Sequence, residues 1–303
     1  MTWLYVVTYT CFLFFIGAFV AKAIKYSRMP IHLRWELYPV AHEVGHESGG
    51  SYLEGLDWRD KTPRRSLLGE LKYMAREGLV FEKCYRNNRG LWYFTYPFHM
   101  GLFLLIIWLG LLLMGSFMMI AGVSLSEPAN TLARVVNYLT LVVGIPGFIL
   151  GTFGCGGLLI KRLTDENLKP YTAPADYFNL SFILTILLSG LVSWLLFDQL
   201  FNSARELMKS VITFNPAVSI NLAMFIGLIL FSLFLLYVPF THMMHGLAKY
   251  FTYHRVVWDD EPNLGGSSIE KKVKGLLQQP VDWSAPHIQR GKTWSEIVSG
   301  ERG

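Results

Sequence analysis

The sequence predicts an all-α integral membrane protein: a bundle of five transmembrane helices, N-terminus outside and C-terminus cytoplasmic. Three observations lead there, namely the composition, the recurrence of long charge-free stretches, and the uneven placement of Lys and Arg. Of 303 residues, 52% are hydrophobic and only 16% charged, whereas soluble domains carry about 25% charge. Apolar runs recur as far as Ala248, which a signal peptide alone does not explain. This composition excludes an ordinary soluble enzyme.

Crossing a bilayer takes about 20 apolar residues. Five stretches free of Asp, Glu, Lys and Arg are long enough: Met1 to Ala21, Leu91 to Leu125, Val135 to Ile160, Tyr177 to Phe197, and Ser210 to Ala248. The second and fifth exceed the need and are expected to extend into an interface or a protein contact. Pro216 is expected to open the fifth helix, because proline is favoured at a first helical position. A shorter helix is expected from Ser66 to Glu77. No internal repeat is visible.

Orientation follows from the basic residues in the connections. The segments Lys22 to Arg89, Lys161 to Lys169 and the tail from Lys249 hold 24 of them; the other two links hold Arg134, Arg205 and Lys209. The N-terminus is therefore expected outside, with the first loop and the tail in the cytoplasm. The organisation expected is transmembrane helix 1 over 1–25, a cytoplasmic loop docking a partner over 26–90, transmembrane helices 2–5 with the cofactor site over 91–248, and a cytoplasmic tail over 249–303. Trp35, Tyr38, Tyr52 and Trp58 in the loop, and Trp258, Trp283 and Trp294 in the tail, stand in segments expected to lack a core of their own: tryptophan without a local core packs either on a partner subunit or at the lipid headgroups.

Eight histidines carry most of the chemical interest. His99, in Tyr96-Pro97-Phe98-His99-Met100-Gly101, stands near the start of the second span. His242 and His245, in Pro239-Phe240-Thr241-His242-Met243-Met244-His245-Gly246, close the fifth. An ionisable residue in a span is a functional candidate by default. Two helices from opposite ends of the chain thus deliver imidazoles towards the same leaflet, as a cofactor bridging two helices requires, and bis-histidine haem is the commonest such case. Gly101 and Gly246 beside them would let a flat macrocycle approach the backbone. Wet interfacial histidines are the plainer alternative. His42-Glu43-Val44-Gly45-His46 matches H-E-x-x-H, the helical zinc-protease motif with Glu as general base, but Pro39 before it and Ser48-Gly49-Gly50 after leave barely two helical turns, and Glu54 and Asp57 are weak third ligands. Small residues Gly151, Gly154, Gly156 and Gly157 suit tight helix packing, with Cys155 a small buried hydrophobe. Cys11, Cys84 and Cys155 form no CxxC pair, so the chain alone cannot hold a four-thiolate cluster.

The run from Gly157 through Lys161-Arg162, Pro170, Pro174 and Asp176 to Leu180 resembles the third-to-fourth helix link of the gamma, cytochrome b, subunits of respiratory nitrate reductases. The spacing from Pro239 to His245, with Thr241 between, is similar to that family's fifth-helix haem-ligand motif. The loop Leu33-Arg34-Trp35-Glu36-Leu37-Tyr38-Pro39-Val40 with His42-Glu43 and Gly49-Gly50-Ser51-Tyr52, and the tail Val257-Trp258-Asp259-Asp260-Glu261-Pro262, resemble a narrower branch: the membrane cytochromes of heterodisulfide-reductase-like, sulfite-reductase-associated complexes of sulfur metabolism. The resemblance implies a haem b electron-transfer subunit of a quinone-linked oxidoreductase in the cytoplasmic (inner) membrane. It would work between menaquinone and a cytoplasmic iron–sulfur, heterodisulfide-reductase-like partner, with further membrane or extracytoplasmic redox subunits and no nucleic acid. His99 and either His245 or His242 would ligate the haem iron, His245 matching the family position. The family's two haems use two histidines on each helix. Here Leu109 to Leu112 and Phe225 to Leu230 occupy the outer positions, so one haem is expected. The rival readings are a membrane zinc metalloprotease built on His42, Glu43 and His46, and a haem-free structural anchor.

Overall fold

The computed structural model describes residues 2–29, 56, 67–125, 131–257 and 265–300. Five of its helices are long and apolar enough to cross a membrane: α1 (Thr2–Arg28), α4 (Arg89–Ile120), α5 (Thr131–Thr164), α6 (Pro174–Leu196) and the span Leu222–Phe240, which contains α8 (Leu222–Tyr237). Between α1 and α4 lie α2 (Leu67–Ala75), a π-helical turn Arg76–Val80 and α3 (Glu82–Asn87); α7 (Asn202–Ile212) precedes α8. The chain divides into two compact units, one of Met1–Gly17 and Ala75–Pro239, the other of Ala18–Met74 and Phe240–Gly303.

In the first unit, glycines decide how closely helices approach. A Cβ on Gly101 would lie 2.2 Å from the Gly151 nitrogen, one on Gly154 2.3 Å from the Phe98 nitrogen, and one on Gly157 2.0 Å from the Phe94 ring. Residue numbers fall on α4 as they rise on α5, so the pair is antiparallel and backbone packs on backbone. The expected packing role of Gly151, Gly154 and Gly157 therefore holds, whereas Gly101 differs from expectation. Its missing side chain makes room for α5, because that face is filled by Gly151; Gly246 does have open space beside it, and so does Gly156, which does not share the packing role of its neighbours. Cys155 is fully buried and donates to the Leu180 carbonyl of α6 at 3.3 Å.

Polar pairs finish the unit, as expected where lipid offers no hydrogen-bond partner. The Asn221 amide donates to Ser193 Oγ at 3.1 Å, and the Tyr237 hydroxyl to Asn179 Oδ1 at 2.9 Å, tying α8 to α6 at both ends. Tyr5 of α1 shares a hydrogen bond with Ser210 at 2.5 Å, and Thr8 with Ser232 at 3.1 Å. The link between α5 and α6 is closed by Arg162 on Thr172 at 3.2 Å, the Tyr177 hydroxyl on the Arg162 carbonyl at 3.0 Å, and Asp176 accepting from the Ala173 N–H at 2.9 Å. The residues that give this link its family likeness are thus the ones that fold it.

The fifth charge-free stretch is not one helix. Its span begins at Leu222, not near Pro216: Asn221 caps it by accepting the Met224 N–H at 2.8 Å, one of the first-turn donors a helix leaves without an internal partner. It ends in a 3₁₀ turn at Val238–Phe240; a second at His242–Met244 leads into α9 (His245–Val257). Absence of charge marked the region correctly but not its ends.

In the second unit the tail differs from the expected coreless segment. Its α10 (Ser268–Leu277) is capped by Ser267, which accepts from the Glu270 N–H at 3.1 Å, and α11 (Trp294–Ser299) by Thr293 in a capping box. Val281 N–H donates to the Lys292 carbonyl at 2.8 Å and Trp294 N–H to the Gln279 carbonyl at 3.2 Å. Ile269, Val281 and Ile288 are buried. Trp283 and Trp294 pack edge to face, 6.4 Å between centroids. The loop stretch Arg34 to Trp58, including His42, Glu43, His46, Glu54 and Asp57, and the tail motif from Trp258 to Pro262 lie outside the described residues, Leu56 excepted.

Candidate functional site

His99 lies ten residues into α4, half-buried, two residues after the buried Pro97. Its Nδ1 is 2.9 Å from the Thr95 carbonyl oxygen one turn earlier. A carbonyl can only accept, so the proton sits on Nδ1 and the lone pair on Nε2. The imidazole is flanked by the Phe81 ring at 4.7 Å between centroids and by Phe98 at 5.1 Å.

His242 and His245 lie in the second unit, at the turn after the fifth span. Thr241 accepts the Met243 N–H at 3.2 Å and caps the 3₁₀ turn, so His242 opens it and His245 begins α9. His245 Nδ1 is 3.2 Å from the His242 carbonyl oxygen, which fixes the same tautomer as at His99. The surrounding protein pulls the His245 pKa below the ordinary imidazole value; the bond to the His242 carbonyl works the other way, and Lys249 and His242 add to the lowering. A neutral imidazole is what a metal needs.

At the far end of α4 stands a group the sequence reading passed over. Arg205, counted there only as a loop charge, is 1% exposed. Its guanidinium donates to the Leu200 carbonyl at 3.0 Å, Asn202 Oδ1 at 2.9 Å and Asn137 Oδ1 at 2.7 Å, and Ser116 donates to its carbonyl at 3.1 Å. Burial lowers its pKa and nearby Asp198 raises it. Beside it, Leu112, Phe148 and Phe201 form a buried cluster with Leu105 and Trp108 packed on it. A charge on a short helix between spans carries no sequence sign that four residues converge on it; Asn137 and Asn202 were the only hints.

These features define a class: a multi-pass helical membrane protein with one backbone-anchored imidazole within the second span and another just after the fifth. The chain matches the nitrate reductase gamma subunit family over residues 84–258, more than half its length, and it belongs to that family. The family is one of membrane haem b subunits that transfer electrons within multi-subunit respiratory complexes. No curated protein and no solved structure matches the chain. Taken one at a time, His99 and His245 each have the chemistry of a haem ligand: a backbone carbonyl holds Nδ1, the arrangement that orients metal-bound histidine.

Proposed function

We propose that this protein is the haem b membrane anchor of a quinone-linked respiratory complex. It passes electrons between menaquinone or menaquinol and a cytoplasmic iron–sulfur, heterodisulfide-reductase-like partner. His99 and His245 would hold the haem iron, and His242 is the neighbour whose carbonyl holds the His245 ring. The observation that carries this reading is the shared tautomer of two imidazoles in a chain of the nitrate reductase gamma family. Haem b supplies a reversible one-electron couple when bound. The chain's part is to orient each imidazole through a backbone carbonyl and to cover His99 with Phe81 and Phe98.

We further propose a single haem, towards the cytoplasmic side of an N-out chain in the inner membrane. Its support is the packing at the opposite end of α4, where Leu105, Trp108 and Leu112 of that helix pack with Phe148 of α5 and Phe201 before α7. The tail, with Trp283 47% exposed, and the loop from Arg34 to Trp58 are the proposed docking surface for the partner.

The test is a visible spectrum and a pyridine haemochrome assay on the purified chain and its variants. The expectation is about one haem per chain by the bis-histidine reading, lost in His99→Ala and in His245→Ala and kept in His242→Ala. A full bis-histidine spectrum in His245→Ala would sink the ligand assignment, and two haems per chain would sink the single-haem reading.

A further inference from the structure

Phe81 is a bulky residue with φ of 56°, in the left-handed region that a side chain with a Cβ rarely adopts. It stands between the π-helical turn Arg76–Val80 and α3, and π-helical turns concentrate at functional sites. The surroundings hold it there. Trp92 Nε1 donates to the Val80 carbonyl at 2.8 Å, and the Tyr85 N–H donates to the Phe81 carbonyl at 3.0 Å. Trp92 is itself stacked on Tyr96 at 4.9 Å and packed on Tyr85 at 5.0 Å. The outcome is a phenyl ring 4.7 Å from the His99 imidazole, tilted by 44°. Covering apolar surface does not require a left-handed phenylalanine, since an ordinary backbone could supply a ring from either neighbouring helix. What the strained turn supplies is one ring at one place, over one histidine.

We infer that Phe81 is a positioning residue for His99: its ring fixes the plane of the imidazole and screens that ligand from water. The inference rests on the reading of His99 as an axial ligand. The Thr95 carbonyl holds one edge of the imidazole, which still leaves the ring free to tilt; Phe81 and Phe98 limit that tilt from two directions. The orientation of an axial imidazole sets how its orbitals meet those of iron, and the apolar shell around it sets the local dielectric and the potential. Water admitted beside His99 stabilises the charged ferric form and lowers the potential.

The experiment uses the full chain in membranes with three substitutions. Phe81→Leu keeps apolar volume without a ring. Phe81→Gly suits the left-handed backbone and removes the side chain. Phe81→Tyr keeps the ring. Haem content, midpoint potential by redox titration and the ferric low-spin electron paramagnetic resonance spectrum are measured on each. The first two variants are expected to shift the principal g-values and move the midpoint downward, while Phe81→Tyr stays at wild type; haem loss in the first two that Phe81→Tyr restores also supports the inference. Wild-type g-values and midpoint in both Phe81→Leu and Phe81→Gly overturn it, as does haem loss in all three, which would make the residue structural. Retention of a bis-histidine spectrum in His99→Ala is a different failure, because it removes the ligand assignment beneath the inference.

Discussion

Phe81 and Phe201 take the same left-handed backbone, each with φ of 56°, at opposite ends of the first unit, and they do opposite things with it. Phe201 is 3% exposed, its ring 5.1 Å from Trp108 and 6.3 Å from Phe148. It ends the turn before α7, where Asp198 accepts the Ser203 and Ala204 N–H groups at 3.1 and 2.8 Å. The cost of its backbone is offset by burial in a dense apolar cluster, which is a structural solution. Phe81 has no such burial and spends its conformation on an imidazole. Strain at one end closes the core, and at the other it shapes a site. One end holds Leu112 and the buried Arg205, whose terminal guanidinium nitrogens are hydrogen-bonded; the other holds the half-buried His99. The proposed single haem rests on that difference.

The comparison breaks most visibly at Phe201. Phe201→Ala removes a buried ring and leaves the left-handed backbone in place, so a loss of about 3–5 kcal/mol is expected. Thermal unfolding of the purified chain measures it. The absorption spectrum of the folded fraction should be unchanged, because the proposed haem ligand of α4, His99, stands at the other end. A displaced spectrum with unaltered stability would mean that the cluster lines a cofactor after all.

Gly101→Ala tests the crowded contact near the His99 end. A Cβ 2.2 Å from the Gly151 nitrogen meets backbone, which cannot swing away as a side chain tip can. Overpacking of this kind costs about 1–3 kcal/mol. Gly246→Ala, with nothing within 4 Å, is the control and should change unfolding by less than about 0.5 kcal/mol. Equal effects at the two positions would mean that α4 and α5 are not in backbone contact.

How much of this was legible in the sequence depends on what each feature rests on. The long charge-free runs revealed α1, α4, α5 and α6, because a span needs length and apolarity and both are written in composition. The ends of the fifth span were not legible. Pro216 and Asn221 are both plausible starts, and a side-chain hydrogen bond decides between them. His99 and His245 stood out as ionisable groups at apolar boundaries, but their tautomers rest on which carbonyl lies one turn back. Gly101 was misread because a glycine beside a histidine looks alike whether a ring or a helix fills the space. Phe81 left no sign, since neither a π-helical turn nor a left-handed phenylalanine has a sequence pattern. Arg205 looked like an ordinary loop charge for the same reason: its partners come from three separate segments.

The smallest expected effect tests whether the closed end is dry. Trp108 is packed 5.2 Å from Phe148 and 5.1 Å from Phe201, and its Nε1–H is buried with no hydrogen-bond partner among the described residues. An unmet donor already costs the folded chain about 1–3 kcal/mol. Trp108→Phe removes that donor and also removes ring carbon that Gly144 makes room for, where a Cβ would sit 2.4 Å from the indole. The two terms oppose each other. Relief of the orphan donor roughly cancels the lost packing, and a net change within about 1 kcal/mol is expected in thermal unfolding. A loss well beyond that would mean the indole N–H has a partner, a water or a bound group, inside the cluster. This half of α4 would then be a wet or occupied site, and the contrast between Phe81 and Phe201 would no longer separate the two ends of the helix.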